Sequence, residues 1–291
     1  VHHLYSTTPP CRLRQSSCDG RAGMARLRRF RTTLSAPLQG KIQAILDQRL
    51  RDLKAKDVHN GAVLVVDHQK SEVLAWVNGG ASLDGVVESW IDAATTPRQP
   101  GSTLKPFLYA LALEKGWTAA TLVDDRPLAA PVGHGLHTYH NYSRVHYGPL
   151  PLRHALGNSL NTTAVRTIQF VGVDHFLGYL GTLGIHSLHQ HPDYYGEGLA
   201  LGNGEITLLE LVRAYTVLAN RGVYHPSRII MDEDGRGHRR KQVFSPETTS
   251  LIGSILSDPD ARRLEFGRGS LLRFPVQSAV KTGTSSDYRD A

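Results

Sequence analysis

RQPGSTLKPFLYALALEKG, residues Arg98–Gly116, opens on a backbone break and runs into an apolar segment. Pro100-Gly101 interrupts regular structure, and Leu104, Phe107, Leu108, Leu111 and Leu113 then follow at spacings that predict a buried helix. On that helix Ser102 and Lys105 stand three residues apart and share a face, which brings an amine beside a hydroxyl. A serine is a poor nucleophile until a neighbouring base takes its proton. A lysine is such a base only where burial and nearby positive charge lower its pKa. A hydroxyl at a helix start also has the positive end of the helix dipole turned toward developing negative charge. Alone, the S-x-x-K pattern has low specificity, because such tetrapeptides arise by chance.

Two further patterns follow in order. Ser159-Leu160-Asn161 comes after a stretch with Leu152 and Leu156 at helical spacing. Its serine can relay a proton toward a leaving amine, and its asparagine can hold a substrate amide. Lys281-Thr282-Gly283-Thr284 lies in Val276–Thr284, predicted as a strand. A strand edge can pair with an extended peptide while Lys281 and Thr282 bind a carboxylate, and Gly283 permits close backbone approach. The order S-x-x-K, S-x-N, K-T-G is that of penicillin-binding proteins and class A β-lactamases, with Leu160 where the usual middle motif has Asp. Singly, Ser159 or Lys281 reads as a surface residue. The ordered triple is hard to obtain by accident.

Outward from these motifs, Leu38–Leu53 reads as an amphipathic helix, and Gly61–Asp67 with Glu72–Asn78 as a β-hairpin. Thr207-Leu208-Leu209-Glu210 is a capping box, with Gly222 placed to end its helix. Ser245-Pro246-Glu247 opens a further helix over Thr248–Leu256. There is no internal repeat. The 291 residues carry a net charge of +7, and 40% of them are hydrophobic, which suits a globular core. Arg12, Arg14, Arg21, Arg26, Arg28, Arg29 and Arg31 concentrate the charge early, in a segment rich in Ser, Thr, Pro and Gly that reads as a solvated linker over residues 1–36. Phe30 alone among aromatic residues falls between these arginines, so nucleic acid is not expected as a partner. Cys11 and Cys18 lack metal-ligand spacing, and no apolar run is long enough for a membrane span. His186, His189 and His191 lack a further ligand and a rigid frame, so no metal site is expected. Tyr139, Asn141 and Tyr142 can line a cleft or pack a loop, and Asp232-Glu233-Asp234 beside Arg239-Arg240-Lys241 reads as a solvated hairpin.

Arg98–Gly116 resembles the nucleophile region of bifunctional class A penicillin-binding proteins, as do GPLPLRHALGNSLNTTAV (Gly148–Val165), LALGNGEITLLELVRAYTVLANRGV (Leu199–Val223) and AVKTGTSSDYRDA (Ala279–Ala291). HNGAVLVVD together with KTGTSSDYRD is most similar to the subgroup called penicillin-binding protein 1C. The resemblance covers about Phe30 to Ala291. It implies an α+β, β-lactamase/transpeptidase-like domain over residues 37–291, an antiparallel sheet with helices packed on both faces. It also implies the chemistry. Ser102 attacks the D-alanyl-D-alanine carbonyl of a peptidoglycan stem peptide, and Lys105 is the base. Ser159 and Asn161 relay the proton and hold substrate, Lys281, Thr282 and Thr284 bind the carboxylate, and the backbone N–H groups of Ser102 and Thr284 form the oxyanion hole. β-Lactam antibiotics acylate the same serine, and no cofactor is needed.

The resemblance further implies a membrane-anchored parent with a glycosyltransferase domain, working on the periplasmic side of the inner membrane. The chain itself is expected to be soluble, with no visible signal. It is also expected to be truncated after the K-T-G strand, before two strands and a helix of the fold, and hence to bind penicillin poorly by itself. The rival readings are a serine β-lactamase or a D,D-carboxypeptidase, which pass the acyl group to water, and a non-catalytic covalent β-lactam sensor. A hydrolase needs a base such as the glutamate that follows the middle motif in class A β-lactamases, and Glu197 and Glu205 lie downstream of that motif here.

Overall fold

The computed structural model describes residues 31–79, 91–132, 135–231 and 240–285, and these fall into two compact units. Residues 1–30, with the early arginines other than Arg31 and both cysteines, lie outside the described residues, as do Asp232–Asp234, Arg239 and the tail from residue 286.

The first unit joins residues up to Gly79 to a segment beginning at Ser227. Helix α1 spans Ala36–Leu53, with Pro37 in its first turn, where a missing N–H costs nothing. Strands β1 (Gly61–Asp67) and β2 (Glu72–Gly79) form the expected antiparallel hairpin, with Leu64 opposite Trp76 and a bulge at Val65/Val66. The hairpin turn is held by Asp67 Oδ1, which accepts from the N–H groups of Gln69 (2.9 Å) and Lys70 (3.1 Å). Val73, Ala75 and Val77 alternate into the interior of β2. Gln39 on α1 clamps the hairpin by exchanging two hydrogen bonds with the Trp76 backbone, at 2.6 and 2.8 Å. The buried Thr33 hydroxyl donates to Val73 O at 2.7 Å, and Arg228 pairs with Glu72 at 2.6 Å.

The second unit is mostly helical. A 3₁₀ turn over Gly101–Leu104 runs into α2 (Lys105–Glu114), every residue of which is buried from Lys105 to Leu113. Strands β3 (Leu122–Asp124), β4 (Leu128–Val132), β5 (Gly135–Tyr139) and β6 (Pro149–Pro151) pair as β3–β6 and β4–β5, all antiparallel. Helices α3 (Leu152–Gly157), α4 (Asn161–Val171) and α5 (Val173–Thr182) follow, then a short α6 (Pro192–Tyr195). Helix α7 (Leu208–Ala219) starts on the expected capping box: Thr207 Oγ1 accepts from Glu210 N at 3.1 Å, and Glu210 Oε2 accepts from Thr207 N at 2.9 Å. Strands β7 (Val223–Tyr224) and β8 (Lys241–Gln242) pair before α8 (Pro246–Ser257), whose Ser245 cap accepts from Thr248 N. A last turn of helix, α9, spans Arg263–Phe266. Leu104, Phe107, Leu108, Leu156, Ile168, Phe176, Leu180, Phe244 and Ile252 share one core around α2. Burial of so apolar a helix on all sides explains why its sequence reads without a polar stripe.

Val276–Thr284 departs from the strand expected there. It has no regular structure, and Val280 N donates to Leu256 O at 3.0 Å. A β-strand exists only through a ladder with a neighbour, and among the described residues of its unit no strand runs beside this segment. Correspondingly, the described strands pair two by two, where the resemblance implies one larger sheet.

Candidate active site

Ser102 lies half-buried in the turn that opens α2, and Lys105 is the first residue of that helix with its side chain wholly enclosed. Gly101 makes the turn possible. It sits at φ +55°, and a Cβ there would come within 2.3 Å of Thr284 O. Gly283 is equally confined, because a Cβ would lie 2.6 Å from Pro100 O and 2.6 Å from Thr103 Cγ2. The Lys281–Thr284 segment is therefore laid directly on the N-terminal turn of the Ser102 helix. Its glycine serves contact between two stretches of the chain itself.

The Lys105 amine donates three hydrogen bonds: to Ser159 O (2.6 Å), Leu160 O (3.1 Å) and Asn161 Oδ1 (2.7 Å). Two of these acceptors exist because Ser159 takes φ +59° between α3 and α4, a left-handed conformation rare for a side chain of its kind. The carbonyls that leave the α3 ladder there converge on the amine. Lys281 Nζ approaches from the other side, donating to Ser159 Oγ at 2.7 Å and to its neighbour Thr282 O at 2.7 Å. Lys105, Ser159, Asn161 and Lys281 thus form one hydrogen-bonded cluster, with Ser102 one helical turn before Lys105. Thr282 and Gly283 are partly buried, and Thr284 is exposed at the rim.

Burial holds the Lys105 amine well below the usual lysine value, and the charge of Lys281 lowers it further, while Glu265 and Asp125 act in the opposite sense. Three oxygen acceptors also favour the charged amine, since only an ammonium fills all three. Burial alone brings Lys281 down to about 7. Two lysines with weakened proton affinity, coupled through one serine, are equipped to pass a proton to and from a hydroxyl near neutral pH.

Other candidates have local tasks. The N–H of His186 donates to Glu210, His189 Nδ1 meets Ser187 O, and His191 Nδ1 accepts from Asp193 N at the start of α6. Among the described residues no group of three or more His, Cys, Asp or Glu side chains could hold a metal, and no helix is long and apolar enough to cross a membrane. Tyr139 and Asn141 are buried, whereas Tyr142 is 78% exposed. Asn141 accepts from Asn161 N at 2.8 Å and donates to the buried Asp125, so both stand directly behind the cluster. The sequence marks Asn141 only as a residue able to line a cleft or pack a loop, and Asp125, in an Asp-Asp-Arg-Pro run, not at all.

A protein-family profile described as the penicillin binding protein transpeptidase domain matches residues 61–290. Penicillin-binding protein 1A of Neisseria meningitidis (serogroup A) is 33% identical over 248 residues, 79% of this chain and 30% of that protein. Penicillin-binding protein 1C of Escherichia coli K12 is 29% identical over 270 residues, 92% of this chain and 33% of that protein. The solved structure of the penicillin-binding protein PonA1 from Mycobacterium tuberculosis superposes with a TM-score of 0.66 at 21% identity, covering 78% of this chain and 62% of the other. The chain spans about a third of the length of the curated relatives it matches. With the profile covering most of the sequence and three motif segments gathered on one helix start, the chain belongs to the transpeptidase-domain family of the penicillin-binding proteins.

Proposed function

We propose that the chain is the acyl-transfer domain of a serine D,D-transpeptidase, in which Ser102 is acylated by the D-alanyl-D-alanine ends of peptidoglycan stem peptides and by β-lactams. The observation that carries the reading is the Lys281–Ser159 contact at 2.7 Å beside the Lys105–Asn161 contact at 2.7 Å, which links the second and third motifs to the helix of the first.

The chemistry follows from that arrangement. As an ammonium, Lys105 has its three protons committed to Ser159 O, Leu160 O and Asn161 Oδ1. On losing one proton it gains a lone pair, which takes the Ser102 proton as the oxygen attacks the substrate carbonyl. Backbone N–H groups of Ser102 and Thr284 stabilise the oxyanion. Ser159, bonded to Lys281, returns the proton to the departing D-alanine amine, and an amine from a second stem then resolves the acyl-enzyme in the reverse sequence. Lys281, Thr282 and Thr284 receive the substrate carboxylate, with Gly283 holding the segment against Thr103. The parent protein would work at the periplasmic face of the inner membrane, coupled to a glycosyltransferase domain and needing no cofactor.

The test is mass spectrometry after exposure to penicillin. The parent protein should gain one penicilloyl group on Ser102, and its Ser102→Ala variant should gain none; an adduct that persists in Ser102→Ala rejects the reading. The lifetime of the adduct separates a transpeptidase, which keeps it, from a β-lactamase, which turns it over.

A further inference from the structure

Asp125 follows β3 and is fully buried. A carboxylate removed from water is strongly disfavoured unless hydrogen bonds and charge compensate it. Here the hydrogen bonds come from neutral donors. Asn141 Nδ2 donates to both carboxylate oxygens at 2.9 Å, Tyr147 N donates to Oδ2 at 2.8 Å, and the Thr162 hydroxyl donates to Oδ1. With its Nδ2 turned to the carboxylate and to Val145 O (2.8 Å), Asn141 has one amide orientation, and its Oδ1 accepts from Asn161 N at 2.8 Å. Asn161 is fixed in the same manner. Its Nδ2 donates to His140 O at 2.7 Å, which leaves Oδ1 to accept from Lys105. The line Asp125–Asn141–Asn161–Lys105 is thus satisfied at every step, and Thr162 ties the carboxylate a second time to the first turn of α4.

We propose that Asp125 is a positioning residue for the acyl transfer: through Asn141 and Thr162 it sets the Asn161 amide against the Lys105 amine, and its carboxylate stands opposite the charge of Lys281 at that amine. This rests on the reading of Lys105 as the base. The charged groups that bear on Lys105 are Lys281 from the 281–285 segment, Glu265 from α9, and Asp125; of these Lys281 favours the neutral amine and the two carboxylates the charged one. The titratable rings that bear on Asp125 are His146, whose Nδ1 meets Asp125 O at 2.7 Å, and the phenols of Tyr109 and Tyr147. Without Asp125, the Asn141 amide loses the acceptor that orients it, and Lys105 loses a carboxylate opposing Lys281. A role in packing alone predicts the first loss and not the second.

The test follows acylation by a fluorescent penicillin as a function of pH in the wild type, Asp125→Asn, and the swapped pair Asp125→Asn/Asn141→Asp. Asp125→Asn should acylate about 100-fold more slowly, with little change in the concentration of penicillin that half-saturates the rate. The limb on which activity is lost in acid should move to lower pH, because a base freed of a neighbouring negative charge deprotonates earlier. The swapped pair returns an acceptor to Asn161 N and the charge to the network, so it should recover part of the rate and move the limb back up. Wild-type rate and an unmoved limb in Asp125→Asn overturn the proposal, and so does a slow variant with an unmoved limb that the swap does not rescue. If Asp125→Asn does not fold, the swapped pair decides alone: a limb at or above the wild-type pH supports the proposal, and one below it refutes it. Titration of the Lys105 side chain by ¹³C NMR, assigned with Lys105→Met, separates this idea from the reading beneath it. Should the wild-type parent protein not be acylated at all, the assignment of function fails. A Lys105 titration that Asp125→Asn leaves unchanged then defeats the present proposal independently.

Discussion

Lys281 and Ser159 touch through a single 2.7 Å hydrogen bond, yet one is tested by pH and the other by backbone strain. Burial lowers Lys281 to about 7, so its ammonium form prevails below that pH and is lost above it. Under the proposed function a substrate carboxylate binds the ammonium. The half-saturating concentration of a penicillin should therefore rise as pH climbs through about 7, and Lys281→Met should bind weakly with that dependence gone; stopped-flow acylation kinetics measure both. Ser159 gives a second residue-scale expectation. Its φ of +59° costs a side-chain-bearing residue on the order of 1–2 kcal/mol. Ser159→Gly should raise the melting temperature or leave it unchanged while slowing acylation, whereas Ser159→Ala should slow acylation without that relief. Differential scanning fluorimetry beside penicillin labelling distinguishes the two.

Among the elements, the turn into α2 is the most tightly constrained. A Cβ on Gly101 would collide with the Thr284 backbone, and no flexible side chain is there to give way. Gly101→Ala should destabilise by about 2 kcal/mol or more and abolish acylation. In α5 the reverse holds: a Cβ on Gly178 would meet nothing within 4 Å, and the residue lies in helical backbone, so Gly178→Ala should stabilise by about 0.5–1 kcal/mol. Denaturant unfolding of the two variants checks both signs. Helix starts were the features most readable in the sequence. The Thr207 capping box and the Ser245 cap are encoded within four consecutive residues, so no distant partner is needed to form them. The strand expected at Val276–Thr284 failed for the opposite reason, since a strand depends on a ladder partner that local composition does not supply.

At the level of the whole molecule, the core around α2 couples stability to the site, because Lys105 emerges from a helix whose other residues are nearly all interior. Phe107, wholly buried against Tyr215 with ring centroids 5.2 Å apart, is the natural probe. Phe107→Ala should cost about 3–5 kcal/mol and lower acylation in proportion to the folded fraction, as circular dichroism and labelling on one sample would report.

From sequence alone came the proposed nucleophile and its helix, the hairpin, the caps and the order of three motifs, because each is written in neighbouring residues and needs no fold to be read. Other features required the folded chain: the three acceptors around Lys105, the left-handed Ser159 that supplies them, the close seat of Gly283 on Thr103, and the buried Asp125 behind Asn141. Each of these joins positions far apart along the chain, and the burial that shifts two lysines arises only when those positions close on one another and exclude water.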